Sequence, residues 1–129
     1  MVAKRIFLAS ELSAANPGQN GAGALRIANT LNLSFVGLDS EMMLIALDLK
    51  GVCASSGSAC MVGSVVASHV LLAMGLPLER ARSAVRFSLG KQTTEDEIDA
   101  ASQAIAKIAG RLTQTKKDVD APVACTGAL

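Results

Sequence analysis

Between Arg26 and Gly37 the residues alternate in character. Ile27, Asn29, Leu31, Leu33 and Phe35 share one parity, and Ala28, Thr30, Asn32 and Ser34 share the other. An alternation with one mostly apolar face predicts a half-buried strand, which Gly37 ends. The period then changes. Asp39 or Ser40 can cap a helix over EMMLIALDLK that stops at Gly51. Val52-Cys53-Ala54 reads as a short strand, and a run of small residues follows it. Ser68 can cap a short helix, HVLLAMG, closed by Gly75, and Pro77 restarts the chain with one helical turn, LERAR. Val85-Arg86-Phe87-Ser88-Leu89 is the clearest strand, with its two polar residues on one parity. Thr94-Glu95-Asp96-Glu97 is a capping box with acids at the positive end of the helix dipole. Behind it, Ile98, Ala101, Ile105, Ile108 and Leu112 recur on one helical face.

The ends of the chain carry weaker patterns. Val2 to Leu12 can form one amphipathic helix, but AANPGQNGAGA breaks the period and reads as a loop or linker. From Thr113 the pattern dissolves into a flexible tail. The expected organisation is an N-terminal helix/loop segment at 1–25, a domain at 26–112 and a tail at 113–129. The expected fold class is α+β: a two-layer sandwich with a small, mostly antiparallel sheet of three to four strands covered on one face by helices. Both main strands keep a polar parity, so the other sheet face looks at water, a ligand or another domain.

Composition narrows the function. Half of the 129 residues are hydrophobic, and the only aromatics are Phe7, Phe35 and Phe87, so the core is aliphatic. The formal net charge is +1 and no basic stripe occurs, which argues against nucleic acid and against a polybasic membrane patch. No apolar run reaches the ~18 residues of a spanning helix. MVAKRIFLAS, broken by Glu11, does not read as a signal peptide. Three cysteines, an odd count, point to free thiols in a reducing compartment, and the expected location is cytoplasmic.

Candidate chemistry concentrates at Ser55-Ser56-Gly57-Ser58-Ala59-Cys60. Cys60 has two readings. A free cysteine is commonly a small buried hydrophobe. Yet no apolar flank precedes this thiol, which suits a nucleophile on a pliable loop, reacting as the thiolate. Cys53, in the short strand, reads as buried, and Cys125 as a tail thiol. Cys53, Cys60, His69 and Cys125 lack the close pairing of a zinc site, so no metal is expected. His69 reads as a helix-surface or capping residue, and Lys91 as a solvated strand end. Arg86, on the polar parity, is either a surface ion-pair partner or a fork for a carboxylate.

Taken together, RIANTLNLSF, SSGSAC, SHVLLAMGL and VRFSLGKQTTEDEID resemble the C-terminal domain of the cysteine desulfurases that serve iron–sulfur cluster assembly. The likeness covers roughly residues 20–111, and SSGSAC resembles the class with the longer catalytic loop. The resemblance implies an enzyme that uses pyridoxal 5′-phosphate to labilise the Cβ–Sγ bond of L-cysteine. It matches Cys60 to the persulfide-forming cysteine and Arg86 to the residue that holds the substrate carboxylate. Ser55, Ser56, Gly57, Ser58 and Ala59 match the catalytic loop that lets the thiol reach in and swing out.

The sequence departs from that pattern at Ala28, where a proline is usual, at Met61, where Thr or Ser is common, and at Val66-Ala67, where Glu-Pro is frequent. No lysine matches the family's aldimine lysine, which lies in a larger N-terminal cofactor domain. The expectation is therefore a desulfurase part, without turnover or bound cofactor when alone. Its implied partners are a cofactor domain and a sulfur-acceptor scaffold protein, with self-association through the face that meets the larger domain. Two other readings stay open: a stand-alone persulfide carrier or interaction domain without enzymatic activity, and an inactive structural remnant.

Overall fold

Leu31 and Leu33 on one strand stand directly across from Phe87 and Val85 on its neighbour, and all four are buried. That double apolar pair is the seed of the core. The structure, a computed structural model, describes residues 17–25, 27–56 and 67–120. Its elements in chain order are β1 (Gly18–Gln19), β2 (Thr30–Ser34), α1 (Ser40–Asp48), α2 (His69–Ala73), α3 (Leu78–Arg82), β3 (Ala84–Ser88) and α4 (Glu95–Asp120). The strands form an antiparallel sheet in the order β1-β2-β3. Met43 and Leu47 of α1 and Ile98, Ile105, Ile108 and Ala109 of α4 pack on its apolar face, with Phe35. This is the expected α+β sandwich.

Local chemistry explains the helix ends. Asp39 caps α1, its carboxylate accepting from the N–H groups of Glu41 (2.8 Å) and Met42 (3.1 Å). Gly51, at φ +73°, closes α1: its N–H donates to Asp48 C=O (2.8 Å) and Val52 N–H donates to Leu47 C=O (3.0 Å). Gly75, at φ +81°, ends α2 in the same way, with Gly75 N–H on Leu72 C=O and Leu76 N–H on Leu71 C=O. This paired closure needs the left-handed conformation that only glycine adopts cheaply. At the start of α4 the capping box is reciprocal. Thr94 N–H donates to Glu97 Oε2 (2.8 Å), and Glu97 N–H donates to Thr94 Oγ1 (3.3 Å). Thr94→Ala is expected to lower stability by about 1 kcal/mol, and Thr94→Ser to restore most of it. A denaturant titration that shows no shift for Thr94→Ala would refute this.

Four expectations need correction. The first strand begins at Thr30, not near Arg26, and Ile27 is 73% exposed. The ladder between the two strands ends at Leu89, whose N–H donates to Asn29 C=O (2.8 Å), so Ile27 and Ala28 have no ladder partner among the described residues. Cys53 is exposed, and residues 52–54 form no strand. That segment is still leaving the α1 turn, and only Ser55 reaches β3. Gly18–Gln19, in a stretch read as loop, forms β1 against Ser34 and Leu33. The last helix continues past Leu112 to Asp120. Its final turns are held by Thr113 Oγ1 on Ala109 C=O (2.8 Å), Gln114 on Asp118 (3.0 Å) and Lys116 Nζ on Gly37 C=O (2.8 Å), none of which needs an apolar stripe. The suggested helix over Val2–Leu12 and the end of the tail lie outside the described residues.

Candidate functional site: the polar face of the sheet

With leucines, valine and phenylalanine turned into the core, the other parity presents Thr30, Asn32 and Ser34 of β2 and Ala84, Arg86 and Ser88 of β3. The two short helices close one end of this face. Ala84 is buried with Ala67, Leu71 of α2 and Ala81 of α3, and Ser34 Oγ donates to Arg80 C=O of α3 (2.8 Å). Beyond that end the face is open, and Arg86 is exposed on it, as the alternation predicts.

The neighbours of Arg86 follow from the ladder. Its N–H donates to Ser55 C=O (2.7 Å) and its C=O accepts from Ser55 N–H (3.0 Å), an antiparallel bridge on the far side of β3 from β2. On the near side its register partner is Asn32, whose own C=O accepts from Asn20 N–H (2.9 Å). The backbone groups of Asn32 and Arg86 thus point away from each other, so the two form a non-hydrogen-bonded pair. In such pairs the side chains stand closest, with Cβ atoms about 4.5–5.5 Å apart. One row across the sheet reads Asn20, Asn32, Arg86, Ser55. The Arg86 guanidinium has no hydrogen-bond or ion-pair partner among the described residues.

The Asn20 end of the row is a packed polar cluster. Asn20, 6% exposed, donates from Nδ2 to Asn32 Oδ1 (2.7 Å) and Ser34 Oγ (2.6 Å). Its Oδ1 accepts from Arg80 Nε (3.0 Å), while Arg80 Nη2 donates to Gln19 C=O (3.2 Å). Gly18 leaves room for that guanidinium, since a Cβ there would stand 2.7 Å from Arg80 Nη2. No buried side-chain polar atom among the described residues lacks a partner. This cluster holds β1 on the sheet by hydrogen bonds rather than by apolar packing.

Of the residues singled out in the sequence, the structure brings Ser55 against Arg86 and leaves Ser56 half-buried beside it. Gly57, Ser58, Ala59 and Cys60, with Cys125, lie outside the described residues. Cys53 does not sit in the core: it edges a groove with Val52, Phe87, Ile98 and Ala101. In the native chain Cys53 is therefore expected to alkylate within minutes at neutral pH. Peptide mapping after a brief iodoacetamide pulse checks this, and a Cys53 peptide left unmodified would refute it. His69 is exposed at the start of α2, and Ser68 makes no side-chain cap bond. Arg80, Asn20 and Asn32 escaped the sequence reading. Asn32 had a signal, its polar parity beside Leu31, but its partner across the sheet needed the register. Asn20 had none.

The described residues do not by themselves build a cradle for pyridoxal 5′-phosphate. That cofactor needs an enclosed lysine, and Lys50, Lys91, Lys107, Lys116 and Lys117 are all exposed. No group of three or more His, Cys, Asp or Glu side chains that could hold a metal occurs among the described residues. No helix among them is long and apolar enough to cross a membrane.

Fold and site together define a small α+β domain whose open sheet face presents an arginine beside the start of a cysteine-bearing segment. The sequence matches the model of aminotransferase class-V over residues 5–101. The chain belongs to that family. It is 46% identical over 97 residues to cysteine desulfurase 2 of Trichormus variabilis, covering 75% of this chain and 24% of that protein. It is 45% identical over 83 residues to the cysteine desulfurase IscS of Clostridium botulinum, covering 64% of this chain and 21% of that protein. The fold is similar to that of a NifS-like protein from Rickettsia africae, with a TM-score of 0.68 and 27% identity over 83% of this chain and 27% of that one. The chain thus spans about a quarter of the length of the curated relatives it matches.

Proposed function

We propose that this chain is the loop-bearing part of a cysteine desulfurase, converting L-cysteine to L-alanine with Cys60 as the sulfur acceptor and Arg86 as the anchor for the substrate carboxylate. The observation that carries the proposal is the backbone bridge between Ser55 and Arg86, which fixes the start of the SSGSAC segment to the strand that presents the guanidinium. Cys60 follows Ser55 by five positions. An extended chain of that length spans at most about 17 Å, so the thiol is tethered within reach of whatever Arg86 binds. The names of the relatives support the substrate.

The chemistry balances without an added oxidant. The Cys60 thiolate attacks the substrate sulfur, a sulfur–sulfur bond forms and the Cβ–Sγ bond breaks. The electron pair stays on Cβ, which takes a proton to give the methyl group of alanine, and Cys60 keeps the persulfide. Pyridoxal 5′-phosphate would supply the electron sink for that bond cleavage, and no described lysine is enclosed to hold it. The chain's own share is to hold the carboxylate and deliver the thiolate. Sulfur then leaves Cys60 for an acceptor protein of iron–sulfur cluster assembly.

The test is alanine release from L-cysteine by this chain joined to the cofactor-binding portion of a relative. Turnover with the native chain and its loss in Cys60→Ser are expected. Turnover that survives Cys60→Ser would overturn the role of that thiol. No turnover from any such pairing would overturn the desulfurase reading.

A further inference from the structure

We propose that Asn32 is a second binding residue for the substrate carboxylate, held with its amide N–H groups toward Arg86 by a hydrogen-bond relay that starts at Arg80. The proposal rests on the reading of Arg86 as the carboxylate anchor and extends it.

The argument begins with a polarity that cannot be reversed. A guanidinium only donates. Arg80 Nε faces the Asn20 side chain at 3.0 Å, so the atom that meets it must be the Asn20 oxygen. Asn20 is then obliged to turn its nitrogen the other way. That nitrogen lies 2.7 Å from the Asn32 side chain and 2.6 Å from Ser34 Oγ. Ser34 can accept there because its own proton goes to Arg80 C=O (2.8 Å). Asn32 must therefore offer its oxygen to Asn20. Its nitrogen, with two donor protons, is left on the opposite edge of the amide, toward β3. Among the described residues that nitrogen has no acceptor.

What stands on the β3 side is Arg86. The two residues form the close, non-hydrogen-bonded type of cross-strand pair, set by Asn32 C=O on Asn20 N–H and by both Arg86 backbone groups on Ser55. Asn32 is half-buried and Arg86 exposed, so the amide forms the floor beside an open guanidinium. Two sets of N–H donors with no acceptor between them suit a planar anion. A carboxylate has two oxygens and about four lone-pair sites, enough for a guanidinium fork and one amide N–H together. Asn32 would touch the substrate. Asn20 and Arg80 act through it and are positioning residues.

The relay makes a prediction that mere packing does not. Asn20→Asp preserves shape and keeps an acceptor for Arg80, but it removes the donor facing Asn32 and Ser34, and the Ser34 hydroxyl must turn its proton to the new carboxylate. The Asn32 amide must then turn its nitrogen to the new carboxylate and its oxygen to Arg86. The experiment is a titration of the 15N-labelled full chain with L-alanine, which carries the carboxylate of substrate and product, and with L-alaninamide, which lacks it. Side-chain Nε–H of Arg86 and NH₂ of Asn32 are followed by NMR. In the native chain both signals are expected to move along one isotherm with L-alanine and to stay still with the amide. In Asn20→Asp the Asn32 shift is lost and the dissociation constant rises about tenfold.

Should Asn20→Asp not fold, Asn32→Ala takes its place, with the Arg86 shift retained at about tenfold weaker binding. Movement of Arg86 without Asn32 in the native chain overturns the inference and leaves the carboxylate anchor standing. A response of Asn20→Asp like that of the native chain overturns the relay. Stillness of both signals overturns the anchor and the inference together.

Discussion

Arg86→Ala is expected to abolish alanine release by the assembled desulfurase, by about 10³-fold or more, while leaving the domain folded. Its side chain leaves the sheet on the exposed face, and no hydrogen bond or ion pair among the described residues depends on it. The loss of stability should be no more than about 1 kcal/mol, as for other exposed arginines. If Arg86 is the proposed carboxylate anchor, the activity loss follows from two charge-assisted hydrogen bonds, each worth roughly 2 kcal/mol, when each 1.4 kcal/mol is tenfold in rate. Arg86→Lys keeps the charge but not the fork, and should recover only part of the activity. The measurements are a denaturation midpoint on this chain and alanine release by the assembled enzyme. A midpoint change equal to several kcal/mol would show that Arg86 holds the fold. Normal turnover without the arginine would remove it from the site.

Asn20→Leu should be among the most destabilising single changes outside the apolar core, at about 3 kcal/mol. The new side chain keeps the γ-branch of the old but has no polar atoms. It strips the acceptor from Arg80 Nε and the donor from Asn32 Oδ1 and Ser34 Oγ, in a place where Asn20 is buried and Ser34 wholly so. Each group left without a partner away from water costs on the order of 1–3 kcal/mol, and part is recovered by rearrangement. Because β1 has only two residues and no buried apolar side chain on its strand positions, this cluster is what keeps it on the sheet. Hydrogen exchange should show faster exchange of the Asn20 amide, which donates to Asn32 C=O. An unchanged midpoint together with unchanged exchange at Asn20 would mean that β1 is held by other contacts.

The capping chemistry was legible because it is local. Asp39, Gly51, Gly75 and the Thr94–Glu97 box act within one helical turn, so residue type and spacing suffice. Cys53 and Ile27 were misread for one shared reason. Ile27 continues a real alternation and Val52-Cys53-Ala54 has strand-like residue types, but a strand exists only where a neighbour supplies the ladder, and the segment Ala84–Leu89 offers pairing to Asn29 and Ser55 and not to Ile27 or Cys53. The end of α4 was missed in the opposite sense. Helix continues there on side-chain bonds between residues four apart and on Lys116 to Gly37, where no hydrophobic period announces it.

The sequence by itself determined the α+β class, the apolar parity of β2 and β3, the helix caps and the choice of Arg86 and Cys60 as candidates, because periodicity and residue chemistry are properties of short stretches. Tertiary structure alone decided which residues meet. The antiparallel register sets Asn32 beside Arg86, and Ser55 on its other flank. The fold brings Arg80, sixty residues along the chain from Asn20, onto that asparagine and so fixes which end of each amide faces the site. Pairing register and hydrogen-bond polarity are relations between distant segments, and no local pattern encodes them until the sheet has formed.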